Sequence, residues 1–121
     1  MKIRQEQMGV LSLASLRRFA GRMVEILPTR FPKEVEERHL QERQHLEAAI
    51  LEGIQRAKGH GVLNEADVER FLECAIIFGP EFDEDAGIPW AQEILTRKNL
   101  DGEQKMDAID EHRIFSLDEP R

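Results

Sequence analysis

The stretch Asn64-Glu-Ala-Asp-Val-Glu-Arg-Phe-Leu-Glu-Cys-Ala-Ile-Ile-Phe-Gly-Pro80 carries the strongest fold signal in the sequence. Its apolar residues recur at helical spacing, and Cys74-Ala-Ile-Ile-Phe78 is apolar almost all round. Asn64 with Asp67 three residues later resembles a capping box, with Asp where Glu or Gln is usual. Since Gly79-Pro80 is typical of a helix end, residues 64–78 are predicted to form the central helix of the fold.

Two helices are predicted before this segment. The first runs from about Arg4 to Leu27 with one broad apolar stripe, and Pro28 and Pro32 then stop and restart the chain. Pro32 suits a first helical turn, so a long second helix is expected from there to about Lys58. Residues 59–61, Gly-His-Gly, are predicted to end it.

Two shorter helices are predicted after it. Pro89 opens the fourth, and Asp101 with Gln104 begins a fifth that runs to about Ser116 and buries Met106, Ile109 and Ile114. No strand pattern is present. The predicted fold is all-α, a compact bundle of four to five helices in a single domain over residues 1–117, with a frayed tail at 118–121.

Composition excludes several classes of function. The chain has 121 residues, 24 acidic against 17 basic, and a formal net charge of −7, which argues against a nucleic-acid binder. The single cysteine excludes an intramolecular disulfide and a four-cysteine zinc site. No apolar run approaches the ~18 residues of a membrane span, so a cytoplasmic protein is expected.

Three patterns suggest site chemistry, but each is incomplete. Glu36-x-x-His39-x-x-Glu42-x-x-His45 resembles one half of a di-iron site without its second copy, so His39 is interpreted as a residue of the packing face or of an interface. The run of acidic residues that begins at Asp83 resembles the start of a calcium-binding loop, but it lacks the glycine and the glutamate that such a loop requires. Cys74 lies in an apolar run that raises a thiol pKa. No catalysis, metal or cofactor is therefore expected, although a small metalloenzyme using His39 and Glu42 stays as a minor alternative.

Apolar residues off the main helical stripes favour a protein-binding role. Ile77, Leu40 and Leu51 lie at the margins of their helices, where either other helices or a partner protein can cover them. Charged groups beside such anchors favour docking. The candidate partner contacts are His39, Leu40, Arg43, Ile77, Glu81, Asp83, Glu84 and Asp85.

Several short motifs also resemble one group of proteins. They are Gly61-Val-Leu-Asn-Glu-Ala-Asp-Val68, Phe71-Leu72, Phe78-Gly-Pro-Glu-Phe-Asp83, Asp85, Ile88-Pro-Trp-Ala91 and Ile94-Leu95. This pattern is similar to small all-helical accessory proteins encoded in type VI secretion gene clusters with effectors, spikes and adaptor chaperones. The resemblance implies a co-chaperone or adaptor that binds an effector or its adaptor chaperone before secretion.

One alternative within the binding class remains. An immunity protein that blocks a cognate toxin would use the net charge of −7 to cover a basic cleft. In both interpretations the partner is a protein rather than a nucleic acid or membrane, and self-association is left open.

Overall fold

The computed structural model describes residues 12–118, with side chains to residue 115, and this part of the chain is helical and contains no strand. The all-α prediction is therefore confirmed. Six α-helices occur within residues 12–118, together with a 3₁₀ turn at Phe82–Glu84. In chain order they are α1 Leu13–Arg30, α2 Pro32–Glu37, α3 Arg43–Gly59, α4 Glu65–Phe78, α5 Pro89–Leu95 and α6 Gly102–Asp118.

The start of α1 is set by a side-chain cap. Ser12 Oγ accepts a hydrogen bond from the Ser15 N–H at 3.0 Å, which satisfies one of the free donors of the first turn. The predicted start near Arg4 lies outside the described residues, as do residues 119–121 of the predicted tail. At the other end of the chain, α6 continues through Asp118.

The prediction that Pro28 ends the first helix is wrong. Pro28 lies in the last turn of α1, where its missing N–H removes a single hydrogen bond, and the helix continues to Arg30. Thr29 Oγ1 donates to the Glu25 carbonyl oxygen at 3.1 Å. The Arg30 guanidinium forms ion pairs with two glutamates of α4, Glu69 and Glu73. This contact with α4 holds the last turn in place.

The predicted long second helix is also wrong, because the chain forms two helices there. Helix α2 ends at Glu37, and His39 adopts a left-handed conformation (φ +59°) before α3 begins at Arg43. Val35 is buried and Leu40 packs against the core, so the turn places the apolar side chains on both sides of His39 inside the fold. His39 itself is exposed in the turn and does not lie on a packing face.

Helix α4 is central, as predicted, and contacts α1, α2, α3 and α6. Asn64 Oδ1 accepts the Asp67 N–H at 2.9 Å, which confirms the predicted cap. At the other end, Gly79 has φ +122°, a conformation that side-chain-bearing residues rarely adopt. The Gly79 N–H bonds to the Ala75 carbonyl oxygen at 2.9 Å, so the helix ends where the sequence predicts.

Helices α5 and α6 begin as predicted. Pro89 occupies the first turn of α5. Before α6, Asp101 and Gln104 exchange side-chain-to-backbone hydrogen bonds of 2.8 and 2.9 Å, a reciprocal cap. Met106 and Ile109 are fully buried, whereas Ile114 is 59% exposed, so its predicted place on the buried face is wrong.

The core lies around α4 and is built from aliphatic and aromatic side chains. Its largest fully buried members are Phe19, Met23, Leu27, Ile50, Val62, Val68, Phe71, Leu72, Phe82, Leu95, Met106 and Ile109. Among the described helices, each is too short or too polar to cross a membrane.

Candidate functional site: an apolar cavity beside an acidic cleft

An apolar cavity of about 210 Å³ opens between the α2–α3 turn, α3 and α4. Core side chains form its inner lining, and more exposed small or apolar residues form its mouth. The inner residues are Leu27, Ile50, Leu72 and Ile76, and those of the mouth are Leu40, Ala49, Ala75 and Pro80. Two charged residues, Arg38 and Glu52, complete the rim.

The cavity exists because small residues face each other where α3 crosses α4. Ala49 and Gly53 are one turn apart on α3, and Ala75 lies opposite on α4. A Cβ at Gly53 would overlap Leu72 Cδ2, so glycine allows the two helices to approach closely at that point. Beside this close contact, the short side chains of Ala49 and Ala75 leave the space unfilled.

Arg38 fixes the α2–α3 turn against the end of α4. Its Nε donates to the carbonyl oxygen of Ile76, and its Nη2 donates to that of Ile77 at 2.8 Å. These carbonyls belong to the last turn of the helix, where backbone acceptors lack helical partners and the helix dipole favours a cation. Arg38 therefore caps α4 from outside the helix and forms one wall of the cavity.

A second, polar cleft adjoins the apolar cavity. Its volume is about 450 Å³, and it shares Arg38 and Pro80 with the cavity. Three exposed acidic residues line its far side, Glu81, Glu84 and Asp85. The two depressions thus form a continuous concave surface that changes from apolar to acidic, which we call the cavity–cleft surface.

A buried ion pair holds the acidic cleft to the end of α3. Asp83 is 3% exposed, and its Oδ1 accepts from Arg56 Nη2 at 2.9 Å. Its Oδ2 lies 2.8 Å from His60 Nε2, which donates because a carboxylate can only accept. Burial alone would raise the pKa of Asp83, but the hydrogen bonds from His60 and Arg56 hold this pKa below its ordinary value.

The structure places the predicted acidic contacts in two groups. Asp83 is a structural residue, because both carboxylate oxygens are bonded inside the protein and a partner cannot reach them. Glu84 is exposed and lies 3.2 Å from Arg56, while Asp85 Oδ1 accepts the Gly87 N–H at 2.8 Å. Glu81 is exposed, and its side chain forms no hydrogen bond or ion pair among the described residues.

The remaining predicted contacts are only partly brought together. Leu40 lines the apolar cavity, and Ile77 is half-buried with its carbonyl bonded to Arg38. His39 is exposed in the turn beside them. Arg43 is exposed at the start of α3 and forms long ion pairs of 3.6 and 3.8 Å with Glu25 and Glu47, which contribute little stability.

The metal patterns do not assemble into a site. His39 lies in the left-handed turn, which breaks the helical spacing with Glu42 and His45. Within the described part of the chain, no three histidine, cysteine or acidic side chains group in a way that could hold a metal ion. The carboxylate that would begin a calcium loop, Asp83, is occupied by Arg56 and His60.

Cys74 is buried, as predicted from its apolar surroundings. Burial raises the pKa of its thiol to about 12, and the nearest polar partner is Arg113 Nη1 at 3.9 Å. A thiol in such a setting is a weak nucleophile at neutral pH.

Comparison with known proteins adds no further assignment. No family model matches the chain, and neither a curated protein nor a solved structure does. The function is therefore argued from the geometry of the cavity–cleft surface.

Sequence reasoning did not single out most of the residues that line this surface, among them Arg38, Ala49 and Glu52. Ala49 falls on the predicted packing face of its helix together with Gly53, and two small residues one turn apart are a signal for unfilled space. Arg38 and Glu52 had no such signal, because their place at the rim depends on the break in the predicted long helix and on how α3 and α4 pack.

Proposed function

We propose that this chain is a non-catalytic protein-binding module. In this proposal it acts in the cytoplasm as a co-chaperone or adaptor that stabilises a type VI secretion effector or its adaptor chaperone. The observation that carries the binding function is the open apolar cavity of about 210 Å³. Protein interfaces place anchor side chains in pockets of this kind, surrounded by polar residues that exclude water.

The partner class is supported by the motif resemblance described from the sequence. Each of its best anchors has a structural role: Gly79 ends α4, Phe82 is fully buried, and Pro89 opens α5. These residues define a fold, so the resemblance supports a shared scaffold on which the cavity–cleft surface is displayed. The choice of a secretion effector over another protein partner depends on that resemblance alone.

Co-purification tests the proposal. The tagged chain is co-expressed with each product of the genes that neighbour its own, and the mass of any complex is measured by light scattering. We expect one effector or adaptor chaperone to form a defined complex that survives at micromolar concentration. If none of the neighbouring products binds at that concentration, the proposed function is wrong.

A second candidate is an immunity protein, favoured by the exposed carboxylates Glu81, Glu84 and Asp85. Such a group can cover the basic substrate cleft of a toxin, for example a nuclease. The two functions differ in a growth experiment. An immunity protein expressed alone rescues cells that produce the neighbouring toxin, whereas an adaptor gives no rescue and its deletion lowers the amount of effector delivered.

A further inference from the structure

The cavity–cleft surface has a defined chemical direction. At one end the lining is mainly aliphatic and small, and at the other three exposed carboxylates lie beside Phe78, Gly79 and Phe82. Arg38 and Pro80 are shared between the two parts. A ligand that follows the surface therefore passes from an apolar environment into an acidic one. The joined surface therefore accepts a narrower class of ligands than the cavity or the cleft would accept alone.

The apolar end has room for a single large side chain. A cavity of about 150 Å³ lined by apolar groups accepts a molecule of the size of benzene. The cavity here is about 210 Å³, and its mouth is formed by half-buried side chains such as Leu40 and Ala49. A phenylalanine, leucine or methionine side chain of a partner matches this size.

The acidic end selects the opposite charge. Near it, the carboxylates of Glu52, Asp83 and Glu84 share one guanidinium, Arg56, while Glu81 and Asp85 form no ion pair among the described residues. Arg38 keeps its positive charge while two of its nitrogens donate to carbonyls of α4, so these five carboxylates lie near only two guanidinium groups. The cleft is therefore left with an excess of negative charge.

We propose that the cavity–cleft surface binds a segment of another protein that presents one large apolar side chain followed closely by lysine or arginine residues. The apolar side chain fills the cavity, and the basic residues lie over Glu81, Glu84 and Asp85. This inference rests on the proposed binding function and adds the chemistry of the recognised segment. Electrostatic attraction aligns the segment, and burial of the apolar side chain supplies most of the affinity.

Defined peptides test this inference. The probe is a fluorescent peptide with one phenylalanine, one alanine and three lysines, and binding is measured by anisotropy at low salt. One control peptide replaces phenylalanine with serine, and another replaces the lysines with glutamates. We expect the probe to bind about tenfold or more tightly than the serine control, as burial of one aromatic side chain predicts. The glutamate control should not bind.

Matched variants locate the binding site. Ala49→Leu places a larger side chain in the cavity, whereas Ala48→Leu makes the same change at the exposed neighbouring residue of α3. We expect Ala49→Leu to weaken binding of the probe by about tenfold and Ala48→Leu to leave it within about twofold. Circular dichroism and thermal unfolding establish that both variants remain folded.

A charge reversal provides a second test that does not depend on filling the cavity. Glu81→Arg is expected to weaken probe binding by about threefold or more, and Glu111→Arg, at an exposed position of α6, is expected to change it less.

The inference is overturned if the three peptides bind equally, if the probe does not bind at millimolar concentration, or if Ala48→Leu weakens binding as much as Ala49→Leu. It is also overturned if light scattering shows a dimer that Ala49→Leu dissociates, because the occupant is then a second copy of the chain.

The outcomes separate this inference from the proposed function. If a neighbouring gene product binds the wild-type chain and Ala49→Leu with equal affinity, the protein is a binding module and the assigned surface is wrong. If the peptide results hold but no neighbouring product binds, the surface is correct and the proposed partner class is wrong.

Discussion

The backbone N–H of Leu40 donates to the carbonyl oxygen of Val35 at 2.9 Å, across a turn in which the chain reverses after α2. The His39 N–H donates to the Glu36 carbonyl oxygen at 3.0 Å, and His39 has φ +59°. Together these bonds form a Schellman motif, in which the left-handed position is normally glycine. Histidine at this position explains why the helix end was invisible in the sequence.

Replacing His39 with glycine is expected to stabilise the protein. A left-handed conformation costs a side-chain-bearing residue about 1–2 kcal/mol, and glycine avoids most of this cost but loses more entropy on folding. The free energy of unfolding should rise by about 0.5–1 kcal/mol, as measured by urea denaturation.

The equivalent turn after α3 provides the control for this prediction. There the left-handed residue is Gly61 (φ +80°), and the Val62 N–H bonds to the Ala57 carbonyl oxygen at 2.9 Å. Gly61→Ala should lower the free energy of unfolding by about 1 kcal/mol. If His39→Gly destabilises the protein instead, a contact of the His39 side chain outweighs the cost of its left-handed conformation, which contradicts the prediction.

A backbone contact between α6 and the α3–α4 connection gives the second prediction. A Cβ at Gly102 would lie 2.5 Å from the Gly61 carbonyl oxygen and 2.9 Å from Val62 Cα, so Gly102→Ala forces backbone to move. We expect a loss of about 1–3 kcal/mol in the free energy of unfolding. Gly21→Ala in α1 is the matched control, because its Cβ would contact nothing within 4 Å and should gain about 0.5–1 kcal/mol.

The third prediction concerns stability in acid. The pKa of Asp83 is lowered in the folded protein, so its carboxylate contributes stability above about pH 3.9, its ordinary pKa in an unfolded chain. This contribution is lost as the pH falls from that value through the lower folded-state pKa. Urea denaturation between pH 5 and 2 should show a steeper loss for the wild-type protein than for Asp83→Asn.

At pH 7 the Asp83 variant should itself be weaker. Asp83→Asn removes the buried charged acceptor of His60 and leaves Arg56 with only its more exposed partners Glu52 and Glu84, so we expect a cost of about 1–3 kcal/mol. Glu81→Gln removes one negative charge at an exposed position nearby and should change the free energy of unfolding by less than about 0.5 kcal/mol. Equal effects of the two substitutions would show that the buried ion pair does not hold the cleft in place.

The fourth prediction concerns the reactivity of Cys74. Because burial raises its pKa to about 12, reaction with a thiol reagent such as dithionitrobenzoate at pH 8 should be slow in the native protein. The rate should increase at least a hundredfold in unfolding concentrations of urea. A native rate close to that of the unfolded chain would contradict the buried position of the thiol.

Much of the fold is readable from local sequence because its helix boundaries depend on local chemistry. Asn64, Gly79, Pro89 and the Asp101–Gln104 pair act within one turn, and each boundary lies where these residues predict. The failures have different causes. The end of α2 is local but is marked by His39 in place of the usual glycine, whereas the last turn of α1 continues past Pro28 to Arg30, which forms ion pairs with α4.

The candidate site was less predictable than the fold because it depends on tertiary contacts. Leu40 was recognisable as an apolar residue at the margin of its predicted helix, and Glu81, Glu84 and Asp85 as an acidic group; the structure places all four around one concave surface. Whether an acidic residue is free or buried depends on the chain folded against it. Asp83 differs from its neighbours only because Arg56 and His60, more than twenty residues earlier, meet it in the fold.

The affinity of the partner protein for two leucine variants of α3 tests the role of the cavity–cleft surface most directly. With the partner identified by co-purification, its dissociation constant is measured for Ala49→Leu and Ala48→Leu against the wild-type chain. We predict about a tenfold or greater loss for Ala49→Leu, since the added side chain occupies the cavity, and a change within about twofold for Ala48→Leu. Wild-type affinity in Ala49→Leu, with the protein folded, would contradict the claim that the cavity–cleft surface is the binding site.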